Sequence, residues 1–314
     1  MSPQHWHVLG VGSIGGLFAL RLAAANLPVT LLLRNAGALA RYLGSDGLRV
    51  LGPGNSHAFA KPPALAVDDA GAASPAAILV TTKAPDTLAA LAPLVAGDGS
   101  GQLVLLLQNG MGVSDTLRER WPALRIWNAV TTAGVWRAGE FELQCVASGE
   151  THAGRRDDAG DARSDTFVQA LFESRLMQPS GDIHAVLWRK LVVNACINAL
   201  TAIYHCRNGE LLEKPEAHAR MARIAAEVER VAQAEGVRLD TPVLDMAEAV
   251  CRLTAANFSS MNRDVAAGRP TEIDFINGYV ARTAQRHRLD AGENLAVVRR
   301  IRELSAATGP ETPG

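Results

Sequence analysis

The feature that most constrains the fold of this chain is a glycine-rich segment close to its amino end. Residues 7–15 read His-Val-Leu-Gly-Val-Gly-Ser-Ile-Gly, so Gly10, Gly12 and Gly15 form a G-x-G-x-x-G pattern. The pattern closes a short apolar stretch and opens a helix-like one, which is the context in which it indicates dinucleotide binding. There, the first glycine permits a tight turn, the second lets a pyrophosphate approach the backbone, and the third lets the helix pack close to the strand.

Residues around these glycines predict how a cofactor is held. Ser13 and Ile14 open the predicted helix, where N–H groups and the positive end of the helix dipole favour phosphate. Arg34 follows the second predicted strand, where an NAD site usually carries an Asp or Glu, about 20 residues on, for the ribose 2′-hydroxyl. An arginine there suits a 2′-phosphate, so we expect NADP(H). The alternative for Arg34 is a solvated charge at a strand end, which is common.

The first half of the chain alternates predicted strands with predicted helices. Strands are predicted over residues 6–9, 29–33, 76–81 and 103–107, and residues 126–146 are predicted as further strands that extend the same sheet. The third and fourth are nearly continuous apolar runs, as expected for strands covered on both faces. Alternation of this kind after a glycine turn indicates a parallel, doubly wound sheet of Rossmann type.

The second half shows helical periodicity and no convincing strand. Five helices are predicted, over residues 183–203, 216–234, 242–261, 272–287 and 293–305. We therefore expect an α/β domain over residues 1–180 and an all-α domain over residues 181–314. The polar segment 154–165 is predicted to be an exposed loop and the tail 308–314 to be disordered.

Bulk properties exclude several classes of partner. The net charge is −1, with no dense Lys/Arg cluster, which argues against a nucleic-acid surface and against a polybasic membrane anchor. Cys145, Cys196, Cys206 and Cys251 form no C-x-x-C pair, so neither a zinc site nor a disulfide framework is predicted. The sequence has no signal-peptide pattern and no uninterrupted apolar run long enough to span a bilayer. We therefore expect a cytoplasmic protein, either monomer or homodimer, with a small-molecule substrate.

Two predicted strand ends carry residues suited to a cofactor, because ligands of doubly wound sheets bind beyond the carboxyl ends of the strands. Lys83 follows the third strand and would reach a phosphate or the adenosine ribose; a solvated lysine is an equal alternative. Asn109 follows the fourth strand, between Gln108 and the glycines of Gly110-Met-Gly112, and offers a donor and an acceptor near the nicotinamide. A turn-forming Asn-Gly pair is the alternative for Asn109.

A row of polar residues runs along the otherwise apolar helix predicted over residues 183–203. Lys190, Asn194 and Asn198 recur at i, i+4 and i+8 and therefore share one face. A buried polar row requires partners, and partial desolvation lowers the pKa of a lysine towards the range useful for proton transfer. The alternative is a hydrogen-bonded core network in which Lys190 extends to the surface.

Two later segments are candidates to face this row. Asn257 and Ser260 are three residues apart and are predicted on one face of a helix. Residues 269–274 look like a helix start with Thr271 as the N-cap, where Glu272 would simply favour the helix dipole.

With these motifs the chain closely resembles the ketopantoate reductase (2-dehydropantoate 2-reductase) family, and the resemblance runs from residue 7 nearly to residue 302. The matching motifs are Gly10-Val-Gly-Ser-Ile-Gly15, Leu33-Arg34, Thr82-Lys83-Ala84, Asn109-Gly-Met-Gly112, Leu187-Trp-Arg-Lys-Leu-Val-Val-Asn194, Ile197-Asn198, Asn208-Gly-Glu210, Asn257-Phe-Ser-Ser-Met261 and Thr271-Glu-Ile-Asp-Phe-Ile-Asn-Gly278. The resemblance implies a Rossmann-type domain followed by a helical domain like the C-terminal domain of 6-phosphogluconate dehydrogenase. It also implies NADPH-dependent reduction of 2-dehydropantoate to (R)-pantoate, a step in pantothenate synthesis.

The resemblance assigns roles to individual residues. Lys190 corresponds to the catalytic lysine that protonates the carbonyl oxygen as hydride arrives at C2, and Glu272 to a glutamate that orients Lys190 or a substrate hydroxyl. Asn109 corresponds to a residue at the junction of nicotinamide and substrate. The remaining matches are substrate-binding residues or contacts of the adenosine phosphate: Asn194, Asn198, Ser260 and, in support, Asn257 for the substrate, and Arg34 and Lys83 for the phosphate.

The chain departs from the family pattern at two positions. Gln108 stands where relatives often have His, and Asp86 stands where a neutral amide is common, so Asp86 would weaken binding of the adenosine phosphate if it points inward. Two other functions stay open on the sequence: reduction of another branched 2-keto acid, and NADP(H) binding without catalysis. A binding-only module would not need this set of polar residues, so their presence argues against the second: Lys190, Asn194, Asn198 and Glu272.

Overall fold

The computed structural model describes residues 4–52, 57–70, 74–156 and 165–307. Most of the loop predicted over residues 154–165 and the tail predicted over residues 308–314 lie outside these ranges. Contacts divide the chain into two units, one formed by residues 1–108 and 113–183 and the other by residues 109–112 and 184–314.

The first unit contains twelve described strands and six described helices. Its strands are β1 (Trp6–Leu9), β2 (Val29–Leu33), β3 (Leu48–Leu51), β4 (His57–Ala60), β5 (Ala64–Ala66), β6 (Ala77–Val80), β7 (Leu103–Leu106), β8 (Arg125–Thr131), β9 (Gly134–Gly139), β10 (Glu142–Ala147), β11 (Thr151–Gly154) and β12 (Gln178–Pro179). Its helices are α1 (Ser13–Ala24), α2 (Ala36–Leu43), α3 (Val67–Ala70), α4 (Thr87–Leu91), α5 (Val113–Arg120) and α6 (Thr166–Glu173).

The main sheet has the strand order of a dinucleotide-binding fold. Strands β5-β2-β1-β6-β7-β8 are neighbours and pair in parallel, and β11 and β12 extend the sheet beyond β8. Counted along the chain within this sheet, the first six read 3-2-1-4-5-6, so the strand order reverses at β1. All residues of β2, β6 and β7 are buried, because helices cover both faces of the sheet.

A second sheet of four strands, in the order β4-β3-β10-β9, was not expected. Residues 126–146 were predicted to extend the main sheet, but only β8 does so; β9 and β10 pair with each other and β10 pairs with β3. The reason is packing on α1. Leu143 and Cys145 of β10 are buried in the same core as Leu17 and Phe18 of α1.

The second unit is helical. After α7 (Ile183–Ile203), most of which belongs to it, it contains α8 (Glu210–Glu213), α9 (Pro215–Ala234), α10 (Val243–Leu253), α11 (Ser260–Ala266), α12 (Asn277–Arg286) and α13 (Gly292–Ala307). The single helix predicted over residues 242–261 is wrong, because the chain leaves the helix after Leu253 and starts a new one at Ser260. The helix predicted from residue 272 is also wrong at its start: a short 3₁₀ turn, Ile273–Phe275, precedes α12.

Helix α7 forms the centre of the second core. By length and composition it is the one helix among the described residues that could span a membrane. Arg189, Lys190, Asn194 and Asn198 interrupt its apolar sequence, so it is not the uninterrupted apolar run whose absence was expected. In addition, 61% of its most apolar window is buried inside the protein, as in a core helix. Its Trp188, Val192, Ala195 and Ala199 are fully buried among the other helices. All four cysteines lie in described residues, where each is buried and free.

The loop after β7 groups with the helical unit although the sequence places it in the first domain. The Met111 N–H donates to the Phe275 carbonyl over 2.8 Å, and the Met111 side chain is buried in the helical core. Gly110, at φ +81°, lies so close to the Phe275 backbone that a Cβ would overlap it. Asn109 therefore lies in the helical unit, while its chain neighbour Gln108 lies in the α/β unit.

Candidate active site

The glycine turn has the conformation that its spacing predicts. Gly10 has φ +93°, and a Cβ there would overlap the backbone of Thr81 and Thr82. A Cβ on Gly15 would overlap the Gly10 carbonyl oxygen, so the third glycine is required for α1 to pack against the turn. At Gly12 the nearest atom to an added Cβ is 4.0 Å away. The middle glycine is therefore not required by packing within the protein.

The N-terminus of α1 has no side-chain cap. Gly12 is the N-cap residue, no side chain accepts a hydrogen bond there, and Ser13 and Ile14 are partly exposed. The Thr81 hydroxyl instead holds the turn from the side, donating to the Gly10 carbonyl over 2.6 Å. The first turn of α1 thus presents backbone N–H groups and the positive end of the helix dipole, which is how helices bind phosphate.

Residues after β2 and β6 lie at the same edge of the sheet as this turn. Leu9, the last residue of β1, pairs with Leu32 on one side and with Val80 on the other. Arg34 follows β2 directly and is exposed, and Lys83, which is partly exposed, lies three residues beyond β6. The reversal of strand order and the glycine turn therefore coincide with two cations, as in a dinucleotide crevice.

Gln108 joins the ends of β6 and β7. Its amide nitrogen donates to the Thr82 carbonyl over 2.8 Å and contacts the Thr87 hydroxyl. Thr87 in turn donates to the Lys83 carbonyl over 3.1 Å. A glutamine at this position thus stabilises the loop that carries Lys83. Asp86, in the same loop, is exposed.

In the helical unit, Asn109 and Glu272 are brought together although they are 163 positions apart in the sequence. The Asn109 amide donates to Glu272 Oε2 over 3.2 Å. Glu272 is only 8% exposed and precedes the 3₁₀ turn, with φ −95° and ψ 20°. Thr271 was predicted as a helix N-cap; this is wrong, because Glu272 itself occupies that position and its carboxylate bonds to Asn109.

Lys190 lies on α7 with Glu272 as its electrostatic partner. Burial lowers the pKa of the Lys190 ammonium, and the negative charge of Glu272 opposes that shift by raising it. The lysine side chain is neither fully buried nor exposed. The arrangement is that of a lysine whose proton is held less tightly than in water and is balanced by one carboxylate.

The other members of the polar row differ in burial. Asn194 is partly exposed, Asn198 is 8% exposed and Thr201, one turn further on, is fully buried. The Thr201 hydroxyl lies 2.9 Å from the Asn198 carbonyl and 2.7 Å from the Ser259 hydroxyl. The row therefore runs from a partly exposed lysine to a buried hydrogen-bonded cluster at the other end of α7.

Asn257 and Ser260 do not share a helix face, contrary to prediction. Asn257 lies in the segment between α10 and α11, and Ser260 is the first residue of α11; both are exposed. The Asn257 carbonyl accepts from the Asn208 N–H over 2.9 Å, which ties this segment to the one that follows α7. Ser259, which caps α11 by accepting from the Asn262 N–H, ends the non-helical stretch.

Sequence reasoning missed several residues of these networks, among them Thr81, Thr87, Ser259 and Asn262. A serine directly before a helix is a typical N-cap, so Ser259 had a local pattern that predicts it. Thr81 and Asn262 have none, because their partners are set by the tertiary fold. Among the described residues no group of three or more His, Cys, Asp or Glu side chains is placed to hold a metal ion.

Comparison with known proteins assigns the sequence to a family. The sequence model described as "Ketopantoate reductase PanE/ApbA" matches residues 6–158, and that of its C-terminal domain matches residues 182–305. The chain belongs to the ketopantoate reductase family. A relative named 2-dehydropantoate 2-reductase, from Halobacterium salinarum, is 36% identical over 282 residues, which make up 89% of this chain and 92% of the relative.

Solved structures agree on the fold. A ketopantoate reductase of the PanE/ApbA family from Ralstonia eutropha JMP134 matches with a TM-score of 0.84 and 25% identity, over 97% of this chain and 99% of that one. D-mandelate dehydrogenase in complex with NADH matches with a TM-score of 0.83 and 25% identity, over 96% and 99%. This ketopantoate reductase family member is accordingly an oxidoreductase with a Rossmann-type domain and a helical domain.

Proposed function

We propose that the protein reduces 2-dehydropantoate to (R)-pantoate with NADPH, a step in pantothenate synthesis. The observation that carries the proposal is the pairing of Lys190, whose pKa burial lowers, with Glu272 on the polar side of α7. This pairing occurs in a chain whose relative from Halobacterium salinarum is named for that reaction.

The residues of the first unit fit a dinucleotide phosphate. The first turn of α1 lacks a side-chain cap and Gly12 leaves room beside the backbone, so a pyrophosphate would be bound by N–H groups there. Arg34 and Lys83 provide positive charge at the same sheet edge for the 2′-phosphate of NADPH and for the adenosine ribose. When bound, the nicotinamide supplies hydride to C2 of the 2-oxo acid.

Lys190 supplies the proton. As C2 accepts hydride, negative charge develops on the carbonyl oxygen, and a lysine ammonium beside that oxygen stabilises the charge and transfers a proton to it. The lowered pKa of Lys190 favours the transfer, because the desolvated ammonium holds its proton less tightly. The negative charge of Glu272 acts in the opposite direction and favours the protonated lysine, and Glu272 is itself held by Asn109.

The remaining polar residues of the helical unit suit the substrate. A branched 2-oxo acid with a hydroxyl group presents a carboxylate, a carbonyl and an alcohol, each of which requires a hydrogen-bond partner. Asn109, Asn194, Asn198 and Ser260 provide amide and hydroxyl groups for them, and Asn257 supports Ser260 from the preceding segment. We assign these residues to substrate binding.

A second candidate is reduction of a different 2-oxo acid, or use of NADH. It is favoured by the similarity to D-mandelate dehydrogenase, whose solved complex contains NADH. The presence of Asp86 beside Lys83 points the same way, since a carboxylate there repels a phosphate.

Initial rates of NADPH oxidation by the purified protein test both candidates. Ketopantoate is compared with 2-oxo-3-methylbutanoate and phenylglyoxylate, each with NADPH and with NADH. We expect the highest kcat/KM with ketopantoate and NADPH. Faster turnover of phenylglyoxylate or preference for NADH would replace the proposal with the second candidate, and binding of NADPH without any turnover would leave only the non-catalytic module.

A further inference from the structure

Three buried polar side chains join the carboxyl end of α7 to the start of α11. Thr201, on α7, is fully buried, Ser259 is 7% exposed and Asn262 is 9% exposed. We call these three residues the α7–α11 cluster. None of them is a residue to which a substrate contact was assigned above.

Hydrogen bonds link the cluster members to one another and to α7. The hydroxyls of Thr201 and Ser259 lie 2.7 Å apart, and each lies within hydrogen-bond distance of the Asn198 carbonyl, at 2.9 Å and 3.4 Å. The Asn262 amide donates to the Thr201 carbonyl over 2.6 Å and to the Cys206 carbonyl over 3.3 Å. The Thr201 carbonyl, near the end of α7, thus accepts from the Asn262 amide and also from the Cys206 N–H over 3.1 Å.

The two hydroxyl protons satisfy the cluster in one arrangement. Thr201 donates to Ser259, and Ser259 donates to the Asn198 carbonyl while accepting from the Asn262 N–H over 3.0 Å. Every bond in this arrangement crosses from α7 to α11 or caps α11. Since these groups are buried, loss of one hydroxyl leaves its partners without water as a replacement.

The α7–α11 cluster adjoins two residues that we assigned to substrate binding. Asn198 contributes its own backbone carbonyl, and Ser260 follows Ser259 in the chain. We propose that Thr201, Ser259 and Asn262 are positioning residues that set the spacing between Asn198 and Ser260, and thereby the fit of a hydroxyl-bearing 2-oxo acid. The proposal rests on the function proposed above.

A purely structural role predicts a different result. If the cluster only caps two helices, its loss lowers thermal stability and leaves the kinetics of the remaining folded protein unchanged. A positioning role predicts that KM for the substrate rises while kcat and NADPH affinity change little, because the proton donor and the cofactor residues are untouched.

The test compares Thr201→Val with Thr283→Val. Both threonines are fully buried in the helical unit, but Thr283 lies on α12, where its hydroxyl accepts from Arg286 over 3.1 Å. For Thr201→Val we expect KM for ketopantoate to rise about tenfold, with kcat and the NADPH Kd within about twofold of wild type. We expect a smaller rise for 2-oxo-3-methylbutanoate, which lacks the hydroxyl, wild-type kinetics for Thr283→Val, and wild-type kinetics for the rescue variant Thr201→Ser.

If Thr201→Val does not fold, Asn262→Leu takes its place, because it removes the side-chain amide bonds but keeps the backbone N–H that Ser259 caps. An unchanged KM for ketopantoate in the folded variant contradicts the proposal. Failure of both variants to fold also contradicts it. If wild type does not reduce ketopantoate, the proposed function fails and the variants are measured with whichever 2-oxo acid is reduced. If no 2-oxo acid is reduced, both proposals are wrong.

Discussion

The glycine turn of the α/β unit and the polar row of the helical unit use different kinds of chemical group, backbone in the first and side chain in the second. At Gly10, Gly12 and Gly15 the useful groups are backbone N–H groups, made accessible by the absence of side chains. At Lys190 and Glu272 the useful groups are two charged side chains, held by burial and by a hydrogen bond from Asn109.

The difference determines which substitutions each region tolerates. Adding a methyl group to the turn changes shape and leaves charge alone, so its effect depends on whether the space is filled by protein or is left for ligand. Replacing Lys190 or Glu272 removes a charged group but changes the volume of the site little. We therefore expect the first region to control cofactor affinity and the second to control the rate of proton transfer.

The largest expected effect is that of Lys190→Ala. Loss of a positioned general acid lowers kcat by roughly 10²–10⁴-fold. The NADPH Kd, measured by fluorescence titration of the same sample, stays near the wild-type value because the glycine turn is intact. Arg189→Ala is the control, since Arg189 is the exposed neighbour of Lys190 on α7. An equal loss of kcat in Lys190→Ala and Arg189→Ala would show that the Lys190 side chain has no particular role in proton transfer.

Alanine at two of the glycines should separate packing from binding. Gly15→Ala places a Cβ against the Gly10 carbonyl, so we expect a loss of stability of about 1–3 kcal/mol in thermal or denaturant unfolding. For Gly12→Ala the nearest protein atom to the added Cβ is the Gly10 carbonyl oxygen, 4.0 Å away. This variant should keep wild-type stability within about 1 kcal/mol and raise the NADPH Kd by about 10- to 100-fold. Unchanged NADPH affinity in Gly12→Ala would show that the pyrophosphate does not bind at this turn.

Arg34→Ala tests the side-chain part of the cofactor site, as distinct from the backbone N–H groups of the glycine turn. A charge-assisted bond from Arg34 to the 2′-phosphate contributes about 1.5–3 kcal/mol. The ratio of kcat/KM with NADPH to that with NADH should therefore fall by about 10- to 100-fold. The rate with NADH serves as the internal control and should be unchanged. If the ratio does not move, Arg34 is a solvated strand-end charge.

The smallest expected effect is that of Asp86→Asn. Asp86 is exposed in the loop that carries Lys83, and exposed charge pairs contribute about 0.2–1 kcal/mol. The NADPH Kd should fall by about two- to fivefold at low ionic strength, and the effect should fade as salt is added. Weaker binding of NADPH by this variant would show that Asp86 helps to hold the cofactor.

The sequence predicted those parts of the fold whose cause is local. The first two strands were placed at their observed bounds, Trp6–Leu9 and Val29–Leu33, because apolar runs end at glycine or at a charge. The polar row of α7 was predicted from its spacing alone, since a long helix has a fixed period. The second sheet was missed because β3 and β4 are short and because β10, the second partner of β3, is distant in the chain.

Parts of the site depend on contacts that no local pattern contains. Asn257 and Ser260 have helical spacing, but the Asn208–Asn257 backbone bond and the Ser259 cap keep the segment out of the helix. Glu272 looks like a first-turn residue of a helix, yet its carboxylate bonds to Asn109. That contact arises because the loop after β7 packs on the helical unit, which spacing does not predict.

The role of Lys190 as proton donor is tested most directly by the pH dependence of kcat/KM for ketopantoate in wild type and in Glu272→Gln. Reduction requires the protonated lysine, so activity is present below the pKa of Lys190 and is lost as the pH rises through it. Glu272 raises that pKa against the lowering effect of burial. We expect removal of the Glu272 charge to move the alkaline loss of activity to lower pH, and we expect Lys190→Ala to abolish this pH dependence. An alkaline loss of activity at the same pH in wild type and Glu272→Gln would contradict the proposed role of Lys190.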